Sequence, residues 1–322
     1  SSSSGDRLPP PPFIRMSGIA YLFPGQGAQA VGMGKSFYDR FAESKEVYQR
    51  ANRLLGFDVT ALCFEGPPEE LTKTEKCQPA LFVTALAAYT AFAAVAPSLK
   101  PVGVAGLSLG ELTALAAAES FSFRDGLRVV QARGEAMAEC AAHHQGTMLA
   151  VLGLPDEAIQ EICRQSGALA ANYNAPEQVV LSGAVSAIEQ AKVLAKERGA
   201  KRAIRLDVAG AFHTSLMQPA ADRLKTVLSN IDIRPPKIPV VSNVTAKPVE
   251  DPEQIRRLLV QQIVSPVLWE PSIRCLIQAG ATSFIEFPPA RVLTNLLRRI
   301  DPSVKGLAID SPEDFEKIGD VS

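Results

Sequence analysis

The sequence contains few of the residues that build metal sites and disulfide frameworks. Among its 322 residues are five cysteines and three histidines. The cysteines are scattered, odd in number and without a C-x-x-C pair. This pattern predicts buried thiols in a reducing compartment rather than disulfides or a zinc site. We therefore expect no bound metal. Because histidine is so scarce, the choice of a general base is narrow.

The chain also lacks an excess of one charge and a long apolar run. Lysine and arginine number 33 against 34 aspartates and glutamates, a net charge of −1. Nothing in this balance favours nucleic acid as a partner. The longest uncharged apolar stretch, residues 81–96, is shorter than the roughly 20 residues of a membrane span. It is rich in alanine and contains threonine and tyrosine. We therefore predict a buried core helix there and no membrane span.

The order of the elements predicts the fold class. An apolar fraction of 47% with 21% charged residues is typical of a globular protein. Strand and helix patterns alternate along most of the chain, which predicts an α/β fold with a mostly parallel sheet. Between residues 145 and 209 the order changes to β-α-β-β-α-β, the plan of a ferredoxin-like subdomain. We predict a flexible leader (1–16), a body (17–144 and 210–305), an inserted subdomain (145–209) and a C-terminal tail (306–322).

A G-x-S-x-G motif lies between a predicted strand and a predicted helix. The apolar run at 102–105 indicates a buried strand, and a helical pattern begins after Ser108. Glycines on both sides allow a turn tight enough to expose the Ser108 hydroxyl, as in a nucleophile elbow. The Leu109 amide at the helix N-terminus can then donate to an oxyanion. The alternative is a strand–helix junction with a capping serine. The flanking strand and helix favour the nucleophile.

A glycine-rich loop, residues 24–29, follows the first predicted strand at 18–23. It is not a phosphate-binding loop, because Met33 stands where that motif requires lysine. Two interpretations remain open. The loop amides approach a ligand or another backbone segment closely, or the loop is a plain turn.

Arg133 and His213 are candidates for binding and catalysis. Arg133 falls on the apolar stripe of a predicted helix at 125–140, where a charge is seldom left unpaired. It should meet a carboxylate, from either the protein or a substrate. His213 stands alone in a loop of small residues before a helix, and it is the economical general base for Ser108. A buried histidine with no catalytic role is the alternative. The other two histidines, His143 and His144, lie together at a predicted helix end.

Six ordered motifs carry a resemblance to a known family. FPGQGAQ, GLSLGE, QARGEAM, AFHTSLM, QQIVSPVLW and RVLTNL have the order and spacing seen in malonyl-CoA:acyl carrier protein transacylases. The resemblance runs from about residue 18 to residue 300 and is strongest to the animal mitochondrial form. It implies an α/β-hydrolase-like body with an inserted ferredoxin-like subdomain. It also implies transfer of a malonyl group from coenzyme A to the phosphopantetheine thiol of acyl carrier protein, for fatty acid synthesis in the mitochondrial matrix.

The resemblance implies a role for each site residue. Ser108 would be the nucleophile and His213 its base. Gln26 and Leu109 would supply the two oxyanion amides. Gln262 would offer its backbone carbonyl to His213 in place of the acid of a catalytic triad. The acyl group would pass through a malonyl-serine intermediate, with a coenzyme A thioester as substrate and no bound cofactor.

Acyl selection would depend on Arg133, which the resemblance pairs with the free malonyl carboxylate. Two departures from the family pattern are visible. The residue before the serine is usually histidine and is Leu107 here, and a late Gly-Pro-Gly is Phe287-Pro288-Pro289 here. Neither changes the predicted catalytic atoms.

Two other functions and one further contact remain possible at this level. In serine hydrolases of the α/β type an acid commonly lies between serine and histidine in the sequence, and Asp125, Asp156 and Asp207 all do. A non-catalytic scaffold for carrier protein could keep the fold without the chemistry. The basic cluster of Lys201, Arg202 and Arg205 could receive coenzyme A phosphates or the acidic carrier protein, or it is a solvated face.

Overall fold

The computed structural model describes residues 18–289 and 291–321. The leader predicted at 1–16 lies outside these residues. The strands are β1 (Ile19–Phe23), β2 (Gly103–Gly106), β3 (Gly146–Leu152), β4 (Leu169–Ala175), β5 (Gln178–Ala184), β6 (Arg202–Arg205), β7 (Val240–Val241), β8 (Pro248–Val249), β9 (Ser283–Glu286) and β10 (Lys305–Ala308).

The helices lie between these strands, and five of them follow one another between β1 and β2. They are α1 (Lys35–Arg40), α2 (Ala42–Leu55), α3 (Val59–Glu65), α4 (Pro68–Thr72), α5 (Thr74–Val95), α6 (Leu109–Ala117), α7 (Phe123–His143), α8 (Asp156–Ser166), α9 (Val185–Glu197), α10 (Gln218–Leu228), α11 (Pro252–Gln262), α12 (Trp269–Gln278) and α13 (Val292–Ile300).

The larger sheet, sheet A, has the strand order β10-β9-β1-β2-β7-β8. All its pairings are parallel except the short antiparallel pair of β7 and β8. Every residue of β1, β2 and β9 is buried. Strands covered on both faces read as continuous apolar runs, which is why the run at 102–105 indicated a strand. The predicted α/β fold with a mostly parallel sheet is confirmed.

The smaller sheet, sheet B, is antiparallel with the order β4-β5-β3-β6. Helices α8 and α9 cover it, and the order of its elements is the predicted β-α-β-β-α-β. Its strand β4 also bonds to the body. The Tyr173 amide donates to the Val267 carbonyl at 2.9 Å, and the Val267 amide donates to Ala171 at 2.8 Å. Sheet B therefore contacts the segment that follows α11.

The apolar stretch near residue 81 lies inside the long helix α5. By length and composition this helix is the one candidate for a membrane span among the described residues. Most of it is buried, and it packs against α2, α6 and α7. This is the core helix that the threonine and tyrosine interruptions predicted.

The end of the chain differs from the predicted tail at 306–322. Strand β10 extends sheet A beyond β9, and a 3-10 helix, Pro312–Val321, packs on β10. Ile309, Phe315 and Ile318 are buried. The apolar residues near the end of the chain are too few to show the periodicity of a strand or a helix. The strand β10 forms because β9 supplies its hydrogen-bond partners.

Candidate active site

The serine of the G-x-S-x-G motif lies on a strained turn between β2 and α6. Ser108 has φ 55° and ψ −108°, a conformation that residues other than glycine rarely adopt. A Cβ atom on Gly106 would collide with the Gly110 carbonyl, and one on Gly110 would collide with the Phe23 carbonyl. Both glycines are thus required by close backbone packing. The turn has the geometry of the predicted nucleophile elbow.

His213 lies within hydrogen-bonding distance of the serine. Its Nε2 is 2.9 Å from Ser108 Oγ, and its Nδ1 is 2.9 Å from the Gln262 carbonyl oxygen. A carbonyl only accepts, so Nδ1 carries the proton and Nε2 is free to accept from the serine hydroxyl. Like Ser108, His213 has a positive φ, 61°. The structure therefore brings together the serine, the histidine and the backbone carbonyl that the sequence analysis grouped.

The histidine is neutral near pH 7 and does not bond to an acid. Burial, reinforced by the positive charge of Arg133, lowers the pKa of His213 to about 4. None of Asp125, Asp156 and Asp207 is hydrogen bonded to it in the part of the chain that the structure describes. The arrangement expected of a serine hydrolase with an acid in this interval is not present among these residues.

Arg133 is buried beside the nucleophile, with only 1% of its surface exposed. Its Nη1 donates to Gln78 Oε1 at 2.7 Å. Its Nη2 donates to Ser108 Oγ at 3.1 Å and to Gln262 Oε1 at 2.9 Å. Within residues 18–289 and 291–321, no carboxylate lies within 4.0 Å of it and its Nε has no hydrogen-bond partner. Of the two expected partners, a protein carboxylate in direct contact is not found.

The predicted oxyanion amides lie on two segments that pack together. The loop after β1 approaches the elbow so closely that a Cβ atom on Gly25 would collide with the Leu107 carbonyl. The Gln26 side chain holds this loop to the start of α5 by donating to Thr74 Oγ1 at 3.2 Å. Leu109 is the first residue of α6, where a backbone amide has no acceptor within its own helix. Close approach therefore explains Gly25. Gly27 instead has a positive φ of 106° with open space around it, as in a turn.

A cavity of about 640 Å³ opens beside Gln26 and Phe212, the neighbour of His213. Its other walls come from α4, the start of α5, the end of α7 and residues 207–209. Its volume is in the usual range for a small-molecule site. His143 and His144 line a different cavity, of about 260 Å³.

The basic cluster lies elsewhere. Lys201, Arg202 and Arg205 are exposed at β6, the edge strand of sheet B, and do not line the larger cavity. Arg205 also lies 3.9 Å from a carboxylate oxygen of Glu189. The structure therefore does not bring this cluster to the serine.

Three polar side chains at the site were not predicted from the sequence. Asn243 Oδ1 accepts from the Ser108 amide, and its Nδ2 donates to the Gly106 carbonyl, both at 2.8 Å. Gln78 accepts from Arg133, and Glu111 is buried beneath the elbow. Glu111 had a visible signal, a lone charge in an apolar helix, which is the argument that selected Arg133. Asn243 and Gln78 are uncharged and carry no such signal.

Fold and geometry define the class of protein. The site has the parts of a serine-dependent acyl-transfer centre. They are a strained serine on an α/β sheet, a neutral histidine that can take its proton, amides at a helix N-terminus and a buried cation. The acyl transferase domain family matches residues 20–308. A malonyl CoA-acyl carrier protein transacylase of Bacillus subtilis is 43% identical over 306 residues, covering 94% of this chain and 96% of the relative. The chain belongs to the malonyl CoA-acyl carrier protein transacylase family.

Other relatives agree. The Escherichia coli K12 protein of the same name is 37% identical over 301 residues, covering 92% of this chain and 97% of its own. A crystal structure of an acyl carrier protein S-malonyltransferase from Vibrio cholerae superposes with a TM-score of 0.90. That structure is 37% identical and covers 94% of this chain and all of its own. A malonyl-transacylase in complex with a type II PKS acyl-carrier protein also has a TM-score of 0.90. Its identity is 36%, and it covers 94% of this chain and 98% of its own.

Proposed function

We propose that this protein transfers a malonyl group from coenzyme A to the phosphopantetheine thiol of acyl carrier protein, for fatty acid synthesis. The proposal rests first on the family to which the chain belongs. The single observation that carries it is the placement of a buried guanidinium next to the reacting hydroxyl, with Arg133 Nη2 3.1 Å from Ser108 Oγ. An acyl group on Ser108 that ends in a carboxylate would meet this charge.

The first half-reaction acylates the serine. The Ser108 hydroxyl passes its proton to His213 Nε2 while Oγ bonds to the thioester carbon. The amides of Gln26 and Leu109 stabilise the resulting oxyanion. The carbon–sulfur bond then breaks, and the coenzyme A thiolate takes the proton from Nε2. The Gln262 carbonyl keeps the ring in the required tautomer by accepting from Nδ1.

The second half-reaction reverses these steps with a different thiol. The phosphopantetheine thiol gives its proton to His213 Nε2, and its sulfur attacks the malonyl carbon. The bond from Ser108 Oγ to that carbon breaks, and the oxygen regains its proton. Since one thioester is exchanged for another, the protein's task is to stabilise the two transition states and exclude water. The burial of His213 and Arg133 suits that task.

The test is to isolate the intermediate and follow its fate. Incubation with malonyl-CoA should add one malonyl group to the peptide that contains Ser108, as measured by mass spectrometry. Adding acyl carrier protein bearing phosphopantetheine should discharge it to the carrier much faster than water does. Rapid release to water would favour the serine hydrolase instead. Absence of any adduct would favour the non-catalytic scaffold.

The carrier protein and the coenzyme A phosphates are both acidic, and we propose that the basic cluster contacts one of them. Lys201, Arg202 and Arg205 are exposed, and in the sequence they come shortly before residues 207–209, which line the larger cavity. Arginine and lysine pair favourably with phosphate and carboxylate groups. The cluster would act in docking and not in the chemical step.

We further propose that the protein is the animal mitochondrial form of the family and acts in the mitochondrial matrix. The support is the resemblance of its sequence motifs. The relatives described above with a stated organism are bacterial. Fractionation of animal cells, with an antibody against this chain, would test the proposal. Recovery outside the mitochondrial matrix would contradict it.

A further inference from the structure

Glu111 is a buried carboxylate that the proposed mechanism does not use. It lies three residues after the nucleophile on α6 and is 3% exposed. Its Oε1 accepts from the backbone N–H of Asn243 at 2.5 Å, and its Oε2 accepts from Gln262 Nε2 at 3.0 Å. A buried charge costs free energy unless it is paired and hydrogen bonded. Its presence directly under the elbow calls for a reason.

The other half of the cluster is Arg133, and one side chain joins the two charges. The Gln262 amide donates through Nε2 to Glu111 and accepts through Oε1 from Arg133 Nη2 at 2.9 Å. Glu111 and Arg133 are therefore an opposite-charge pair bridged by a neutral amide rather than in direct contact. The same Gln262 offers its backbone carbonyl to His213.

The direction of the Gln262 amide matters for Arg133. An ionised carboxylate only accepts, so it selects the orientation in which the Gln262 NH2 group faces Glu111 and the oxygen faces the guanidinium. The reverse orientation would set donor against donor at Arg133. Gln262 Nε2 also donates to the Ser108 carbonyl at 3.1 Å and to Asn243 Oδ1 at 3.2 Å, which agrees with this orientation.

The orientation of Arg133 in turn decides what remains for substrate. Three of its five N–H groups are used by Gln78, Ser108 and Gln262. Two donors remain, one N–H of Nη1 and the Nε–H, which is buried and has no partner. A guanidinium free to rotate would lose this arrangement.

We infer that Glu111 is a positioning residue for acyl selection. Its carboxylate turns the Gln262 side-chain oxygen toward Arg133 and so holds the guanidinium in the orientation that a malonyl carboxylate requires. This inference rests on the proposed function, because it assumes that Arg133 binds the malonyl carboxylate. It assigns Glu111 no contact with substrate.

The ionisation of Glu111 is open to measurement. Burial raises the pKa of Glu111 to about 7, against the lowering effects of the Asn243 amide and of Arg133. Arg133 is the charged group that acts on it. Apart from the uncharged Gln262 amide and the Ser242 hydroxyl, the side chains that β7, β8, α11 and the residues beside them place around Glu111 are apolar. A protonated Glu111 would have a donor of its own and would no longer impose one amide orientation.

The experiment compares malonyl-CoA and acetyl-CoA as acyl donors for Ser108 in the full-length parent and in Glu111→Gln. The acetyl group has no free carboxylate. Acetyl-CoA therefore reports on the acylation of Ser108 without the recognition of a carboxylate. We expect kcat/KM for malonyl-CoA to fall about 10- to 100-fold, mainly through KM. The reason is that the variant removes the charged hydrogen bond by which Glu111 positions Gln262 and, through it, Arg133. We expect the acetyl value to change less than about threefold. An unchanged malonyl-to-acetyl ratio in a folded variant would overturn the inference.

A matched control is available in Glu286, a second buried carboxylate. Its oxygens accept from the backbone amides of Arg291, Leu293 and Thr294 at 2.8–3.0 Å, at the start of α13. Glu286→Gln should lower the melting temperature without changing the malonyl-to-acetyl ratio. If this variant shifts the ratio as much as Glu111→Gln does, the effect is general destabilisation and the inference fails.

Gln262→Met tests the same chain of contacts from Glu111 through Gln262 to Arg133. It replaces Glu111→Gln as the test if that variant does not fold. Methionine keeps the backbone carbonyl for His213 but removes the amide. It should shift the malonyl-to-acetyl ratio as Glu111→Gln does, and the double variant should shift it no further, because the two residues act in series. An unshifted ratio in Gln262→Met, or additive shifts in the double variant, would overturn the inference.

The pH profile gives a readout that a structural role would not move. Protonation of His213 affects both donors alike and cancels in their ratio. In the parent the malonyl-to-acetyl ratio should therefore fall as the pH drops from 8 to 6, whereas in Glu111→Gln it should stay level. The same profile in both proteins would contradict the inference. If the parent forms no malonyl adduct at Ser108, the proposed function fails instead, and the two failures are distinguishable.

Discussion

The two sheets treat polar side chains in opposite ways. At the end of β2 in sheet A, a set of buried polar side chains bond mainly to one another and to the elbow backbone: Glu111, Arg133, His213, Asn243 and Gln262. Sheet B packs on α8 and α9 through aliphatic side chains such as Leu149, Ile162 and Leu181. Its charges lie on the exposed edge strand β6.

This difference indicates which sheet carries the chemistry. Burying charges costs free energy that an apolar core of equal volume does not. The cluster at the end of β2 contains both charges and the nucleophile's partners and is therefore typical of a functional site, whereas sheet B has the composition of a supporting and docking element. Changes in the cluster should alter the reaction without unfolding the protein. Changes at the edge of sheet B should alter only the encounter with partners.

The largest effect is expected from Ser108→Ala. Removing the hydroxyl removes the only atom to which the acyl group is attached, so both the acyl-enzyme and transfer should be lost. The strained backbone at this position tolerates a small side chain, so the melting temperature should stay close to that of the parent. Mass spectrometry after malonyl-CoA treatment and thermal unfolding measure the two quantities. Transfer at the parent rate would end the assignment of the nucleophile.

His213→Ala should slow acylation by about two to four powers of ten, because an unassisted serine hydroxyl is a poor nucleophile at neutral pH. Stopped-flow acylation with either donor would measure it. The matched control is the joint change of His143 and His144, which line the other cavity. If the control is the inactive protein, the general base has been misassigned.

Arg133→Ala should act on one donor only. Leaving the malonyl carboxylate unpaired in a dry pocket should lower its kcat/KM roughly 100- to 1,000-fold. Acetyl transfer should change little or increase, because the variant no longer has a guanidinium that the acetyl group leaves unpaired. If Arg133 served only stability, the melting temperature would fall and both donors would suffer alike. Steady-state kinetics with both donors, together with the melting temperature, decide between these outcomes.

The same variant should shift a pH limb. With the pKa of His213 lowered to about 4 by burial and by Arg133, the base stays neutral well below pH 6.5. Acetyl transfer by the parent should therefore hold from pH 8 to about pH 5 and fall below that as the ring is protonated. Removing the neighbouring positive charge raises the pKa, so the acid limb of Arg133→Ala should lie at higher pH. A limb at the same or lower pH would show that Arg133 does not act on the histidine.

The smallest effect is expected at the edge of sheet B. Replacing Lys201, Arg202 and Arg205 by alanine should slow transfer to carrier protein a few-fold at low salt, and less at high salt, because exposed charges are screened. Acylation by malonyl-CoA measured separately shows which acidic partner is affected. Equal rates for the triple variant and the parent in both half-reactions would leave this edge as a solvated face.

Local patterns predicted the residues that a single stretch of chain defines. The flanking glycines predicted the turn at Ser108, the scarcity of histidine singled out His213, and a charge on an apolar stripe singled out Arg133. Gln26 and Gln262 came from the family resemblance, since the physical role predicted for each belongs to its backbone and any residue type supplies an amide or a carbonyl. No signal pointed to Asn243, an uncharged residue in the turn that follows the two-residue strand β7.

The sequence by itself determined the alternation of strands and helices, the inserted β-α-β-β-α-β unit and the elbow, because these follow from periodicity and turn chemistry within short segments. Only the tertiary structure decided how the charges are arranged. Glu111 and Arg133 belong to different helices, and Gln262 to a third, so their bridged geometry depends on how those helices pack. Strand β10 was likewise decided by a neighbour, because its hydrogen-bond partners lie in β9 and not in its own residues.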